Sequence, residues 1–274
     1  MIAYDLSVLS AWDIQKPLQE IASGTGSFGP SAEWRSWYHY LLGQLLTRGH
    51  ESFVSSLLEL FVTGFMSHYP NGVHSAPYRQ FRDDALLTVG RCIMDSQCWN
   101  GTDIAIGMIL HRSNNNPNGV WCWWDASGDF SASMFFCLKY LPESLLQGWL
   151  QSVLAIPSPH WRAQVLVWLV GAHDILTGRI KWPSELLIES RPSVGWDWSH
   201  CLRLELALSD DSGAQPMQSL LPESSRSLVL QLVGRHFSED IYLEWLATIS
   251  SIPYLWEEVA EIPSTFERLY VRAG

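Results

Sequence analysis

Apolar residues recur along this chain at helical spacing and seldom alternate, and that restricts its fold more than any other feature. Leu145, Leu146, Trp149, Leu150, Val153 and Leu154 fall on one face of a helix. Trp161, Val165, Trp168, Leu169, Ala172 and Leu176 do the same, as do Ile241, Tyr242, Trp245, Leu246 and Ile249. A half-buried strand needs a period of two, which is scarce here. The pairs Asn71-Gly72, Asn100-Gly101 and Asn118-Gly119 suit hairpin turns, but their flanks do not alternate, so they read as loops between helices. The chain therefore reads as all-α, with further helices expected near 5–21, 31–47, 51–67 and 78–95.

Prolines punctuate the helix starts. Proline is tolerated at the first helical position because its missing N–H would be unbonded there, and a nearby glutamate suits the positive end of the helix dipole. Leu141-Pro142-Glu143-Ser144 recurs as Leu221-Pro222-Glu223-Ser224, with relatives at Trp182-Pro183-Ser184-Glu185 and Ile262-Pro263-Ser264-Thr265. These prolines lie 41, 39 and 41 residues apart. One step further back falls Thr102-Asp103, a cap followed by a first-turn acid. A period of about 40 residues belongs to helix-pair repeats, in which each pair leaves an apolar face for the next to cover. A second self-match, Trp149-Leu150 to Ile156-Pro157 against Trp245-Leu246 to Ile252-Pro253, is out of phase with that period.

On its period and helix starts, the stretch 102–272 resembles the HEAT-like and armadillo-like helical repeats. The resemblance implies an α-solenoid-like stack of antiparallel helix pairs in the C-terminal part. The expected organisation is one all-helical domain over 1–274, less regular in 1–101 and repeat-like in 102–274. Two interruptions, Gly24 to Pro30 and Arg112 to Gly128, are too short to separate domains.

Of the 274 residues, 47% are hydrophobic and 16% charged, enough to build a core without disulfide or metal. The five cysteines are odd in number and show no Cys-x-x-Cys spacing, which fits buried reduced thiols in a cytosolic protein. The start lacks the basic region of a secretory signal, and the longest apolar run, Val165 to Ala172, is far shorter than a membrane span. A soluble, cytoplasmic protein is expected.

Charge narrows the partner. Seventeen Lys and Arg face 28 Asp and Glu, a net −11, and residues 201–274 hold −6 of it with 5 basic and 11 acidic groups. An acidic field repels phosphate backbones and anionic lipid and attracts basic surfaces. Neither nucleic acid nor membrane is expected as a partner; a basic protein is.

The motifs for chemistry are incomplete. Gly24-x-Gly26-x-x-Gly29 matches a dinucleotide fingerprint in letters, but helix-like residues precede it and no βαβ unit follows. His173-Asp174 resembles the His-Asp pair of helical metal-dependent phosphohydrolases, which needs a further upstream His and downstream Asp; His111 and Asp240 are the nominees. Asp197 and His200 share a helix face, and Asp83-Asp84 lacks the third aspartate of a magnesium cluster. Gly-x-Ser-x-Gly and His-Glu-x-x-His are absent. No cofactor, metal or catalytic residue is assigned.

The most unusual segment is Val120 to Asp129, where Trp121, Trp123 and Trp124 accompany Asp125 and Asp129. Tryptophans on a loop dominate many interfaces, whereas aromatic platforms beside carboxylates also suit sugars. The leading expectation is a non-enzymatic protein-binding module, whether adaptor, inhibitor or immunity-type protein. It would bind a basic partner through Trp121, Trp123, Trp124, Asp125, Asp129, Asp210, Asp211, Glu257 and Glu258. The alternative is a helical enzyme or binding protein acting on sugars or other hydroxyl-rich ligands through the Trp/Asp loop.

Overall fold

The computed structural model describes residues 11–23, 31–45, 58–73, 76–88, 99–100, 103–104, 124–186, 194–196, 198–202, 219–259 and 261–272. The chain is all-α. The first helices are α1 (Ala11–Ser23), α2 (Ser31–Leu45), α3 (Leu58–His68) and α4 (Phe81–Thr88). The long helix α5 (Trp124–Tyr140) precedes α6 (Glu143–Leu154), α7 (Pro159–Gly171) and the short α8 (His173–Leu176). After a 3-10 turn at Pro183–Glu185 come α9 (Glu223–His236), α10 (Glu239–Ser250), α11 (Pro253–Glu258) and α12 (Ile262–Phe266), the last running into a π-turn at Glu267–Val271.

Two minimal strands, β1 (Trp99–Asn100) and β2 (Asp103–Ile104), pair antiparallel with Trp99 opposite Ile104. Asn100 thus belongs to a strand pair, where the sequence suggested a plain inter-helix loop, and Asp103 does not open a helix. Two residues per strand are too few to display alternation.

Helix α5 is the hub. From Phe130 to Leu138 every side chain is buried, and the helix packs against α3 and α4 on one side and α7 and α9 on the other. A helix that is apolar all round has no solvent face to show. Its hydroxyls are satisfied inside: Ser131 Oγ donates to the Val194 carbonyl, and Tyr140 Oη donates to the Tyr69 carbonyl at 2.8 Å. Trp196, beside Phe135, donates from Nε1 to Thr63 Oγ1 at 2.9 Å and so links the 194–196 segment to α3. Buried apolar side chains form one cluster that extends from Ile14 to Tyr270.

The proline-headed helices form as the sequence suggests, with one adjustment. Pro142 and Pro222 sit just outside their helices in extended conformation, and their carbonyls accept the first helical bonds from Leu146 and Arg226 at 3.0 and 3.1 Å. Pro159 and Pro253 lie inside the first turn. The hairpin α6–α7 then meets the hairpin α9–α10, first helix on first helix and second on second. These neighbours are 80 residues apart in sequence, counted from Pro142 to Pro222. Between them Pro183 opens only a 3-10 turn, and the late phase at Pro263 falls in a five-residue helix. Among the described residues, the spacing heads full helix hairpins at Pro142 and Pro222.

Burial follows the apolar faces with exceptions that packing explains. Leu146, Trp149, Leu150, Val153 and Leu154 are buried, but Leu145 is 54% exposed because α6 is covered on one side only. Helix α7 departs the other way. Ala163 to Leu169 are all buried, so the helix is enclosed on every side rather than amphipathic.

Gly178 ends the α8 turn with φ of +77°, and an added Cβ would overlap Nη1 of Arg226. A non-glycine residue costs about 1–2 kcal/mol in this left-handed region, before any displacement of the arginine. Gly178→Ala is expected to lower the urea unfolding free energy by at least that amount. An unchanged midpoint would show that the turn relaxes freely.

Candidate functional site

From Phe237 to Glu267 the chain holds seven carboxylates and no Lys, Arg or His. That stretch builds α10, α11 and α12. Helix α10 starts where Ser238 Oγ accepts from the Ile241 amide at 3.3 Å, with Glu239 and Asp240 in its first turn. Tyr242, Trp245 and Ile249 turn inward, and the helix packs on α7. Glu239, Asp240, Leu243, Glu244 and Ala247 are left exposed on its outer side.

Two of these carboxylates are neutralised. Arg162 reaches from α7 and donates from Nη1 to Glu244 at 3.1 Å and to Thr248 Oγ1 at 2.8 Å, with its guanidinium 5.2 Å from the Trp245 ring centroid. Arg272 pairs with Glu267 at 2.7 Å. Glu239, Asp240, Glu257 and Glu261 are exposed and have no basic partner among the described residues. Leu243, 54% exposed, and Trp256, 40% exposed, interrupt this acidic series with apolar surface. The run free of cations is the sequence signal that localises the acidic surface more sharply than the overall charge of the C-terminal third.

The other expected binding residues distribute unevenly. Glu257 is exposed on α11, and Glu258 ends the same helix. Asp210, Asp211, Trp121 and Trp123 lie outside the described residues. Trp124 opens α5, with Asp125 and Asp129 in its first two turns, so the helix takes in the last five residues of the loop expected up to Gly128. Trp196, which with Asp197 and Trp198 repeats the Trp/Asp composition in miniature, is a buried core residue.

The His173-Asp174 pair is committed elsewhere. Tyr270 Oη donates to the Leu169 carbonyl at 2.8 Å, so its oxygen accepts from His173 Nδ1 at 3.1 Å. Asp174 pairs with Arg179 at 2.9 Å. Burial, then the Arg179 charge, lowers the His173 pKa. Asp240 is exposed on α10, and His111 and the glycine motif at 24–29 lie outside the described residues. Among the described residues no three His, Cys, Asp or Glu side chains converge as a metal site. Lys139, on α5, donates from Nζ to the Leu220 carbonyl at 3.1 Å, and burial pulls its pKa down to about 7. Cys137 and Cys201 are buried.

No helix among the described residues is long and apolar enough to cross a membrane. No protein-family model, curated protein or solved structure matches the chain.

Proposed function

We propose that this chain is a non-enzymatic protein-binding module, working in the cytoplasm, whose acidic C-terminal surface docks a basic protein. An adaptor, an inhibitor or an immunity-type protein would each use such a surface. One observation carries the reading: among the described residues Glu239, Asp240, Glu257 and Glu261 are exposed without basic partners, in a stretch that also exposes Leu243 and Trp256. Carboxylates left without internal partners steer an oppositely charged protein, and exposed apolar side chains among them supply the dehydrated contact that charge alone does not.

The test starts with capture of partners from host lysate on the immobilised chain, followed by affinity measurements on the captured protein. Raising salt from low to physiological strength is expected to weaken binding about tenfold or more. Reversing charge at Glu239, Asp240, Glu257 and Glu261 to Lys should remove most of that salt dependence. Trp256→Ala should cost about 2 kcal/mol if the ring anchors the complex. Binding indifferent to both salt and charge reversal would overturn the proposal.

A further inference from the structure

A second cluster, far from the acidic stretch in sequence, has the opposite character. Helix α2 carries Arg35 and His39 one turn apart and packs against α3, whose last residue is His68, followed by Tyr69. The Arg35 guanidinium carbon lies 5.7 Å from the centroid of the Tyr69 ring. The His39 ring stacks on that same ring at 6.0 Å and 18°, and its Nε2 is hydrogen-bonded to the Tyr69 hydroxyl. His68 packs against Tyr38 at 5.5 Å. Phe81 meets both His39 and Tyr69, at 5.1 and 5.6 Å, and so walls the cluster with another ring.

His68 is only 7% exposed, and its Nε2 has no hydrogen-bond partner among the described residues. The Arg35 Nε–H is enclosed and also lacks an acceptor among the described residues. The charged and titratable groups acting on these histidines are Arg35 and His39, and the phenols of Tyr38, Tyr69 and Tyr140 complete the surroundings. No carboxylate among the described residues pairs with Arg35, in a chain whose acids outnumber its bases by 28 to 17. Contact with the Tyr69 face attracts the guanidinium but accepts no hydrogen bond from it. An enclosed N–H without an acceptor is destabilising, and a guanidinium fork fits an oxyanion that takes two bonds at once. Arg35 and His39 are only half-buried, so their outer edges remain open to a solute.

We propose that Arg35, His39 and His68 form a binding site for an oxyanion, a phosphoryl or carboxylate group carried by a small molecule. This site is independent of the acidic docking surface, because it selects the opposite charge.

The test is an NMR titration of the histidine imidazoles of the full chain with inorganic phosphate, and separately with acetate, at constant ionic strength balanced by chloride. Saturable shifts of the His39 and His68 resonances are expected with at least one of the two anions, and which anion acts identifies the group. Arg35→Met should weaken that binding at least about tenfold, the loss of one charge-assisted contact. Arg35→Lys, which keeps the charge but not the fork, should weaken it less and guards against misfolding of the methionine variant. Arg82→Met, at an exposed residue of α4, should leave it unchanged. Absence of saturable shifts with both anions would overturn the proposal. So would a folded Arg35→Met variant that titrates like the parent.

Discussion

Phe65→Ala is expected to lower the unfolding free energy by about 3–5 kcal/mol, near the upper end for a single core truncation. Phe65 is fully buried on α3, and its ring joins several elements. It meets Phe136 and Tyr140 of α5 edge-on at 4.9 and 5.0 Å, stacks on Phe81 of α4 at 5.6 Å, and lies 5.0 Å from Tyr69. Truncation removes apolar contact area and leaves a void lined by rings. Those rings cannot readily close it, because two of the neighbouring phenols are tied to backbone. Tyr140 Oη donates to the Tyr69 carbonyl, and Tyr38 Oη donates to the Phe61 carbonyl, each at 2.8 Å. Urea unfolding at neutral pH measures the loss. The matched comparison is Leu145→Ala, which should shift stability by no more than about 0.5 kcal/mol because the side chain faces solvent. Similar losses at the two positions would mean that the packing of α3 against α5 is not as described.

Leu145 also shows where periodicity stops being informative. It sits next to Leu146 and extends the apolar stripe of α6, but nothing in the stripe says how wide a surface the neighbouring helices cover. For α6 and α10 the helical period finds most of the buried face, including Trp149, Val153, Tyr242, Trp245 and Ile249. For α7 it finds Trp161, Val165, Trp168 and Leu169 but not the equally buried Ala163, Gln164, Leu166 and Val167, since a helix covered on all sides has no polar face to set a direction. The run Phe130 to Leu138 of α5 carries no charge, and that is the sequence trace of its central place. The proline spacing similarly announces where helices begin. Which hairpins touch is a tertiary matter, decided by the apolar faces of helices such as α6 and α9, which meet although they start two periods apart.

The two candidate surfaces were legible to different degrees. Net charge pointed to the C-terminal acids, and helix geometry then decided that Leu243 stays outside while Tyr242 and Trp245 turn inward. Arg35 and His39 lie four residues apart and predict a shared helix face. Their convergence with His68 does not follow from spacing, because α3 must first fold back on α2. A lone histidine amid Phe65, Met66 and Tyr69 reads in sequence as an ordinary core residue.

That buried histidine gives the chain a defined response to acid. Burial first, then the Arg35 and His39 charges, lower the His68 pKa to about 3, against about 6.5 in the unfolded chain. Between these values the unfolded state binds a proton on His68 that the folded state refuses, so stability falls as pH falls through this window. The loss is about 2 kcal/mol by pH 5 and saturates only below the folded value. Among the described residues the surrounding groups, Arg35, His39, Tyr38, Tyr69 and Tyr140, include no carboxylate to reverse the sign. His39, His173 and His236 are also lowered, chiefly by burial, and add to the slope in the same direction. Urea unfolding at pH 7.5 and 5.0 should therefore show the parent losing about 2 kcal/mol more than His68→Gln, which removes this titration but keeps a polar side chain of similar reach. Equal losses would mean that His68 takes up its proton within the fold. The buffer must contain neither phosphate nor acetate, because an oxyanion held beside Arg35 would favour the protonated imidazole and narrow the difference the experiment measures.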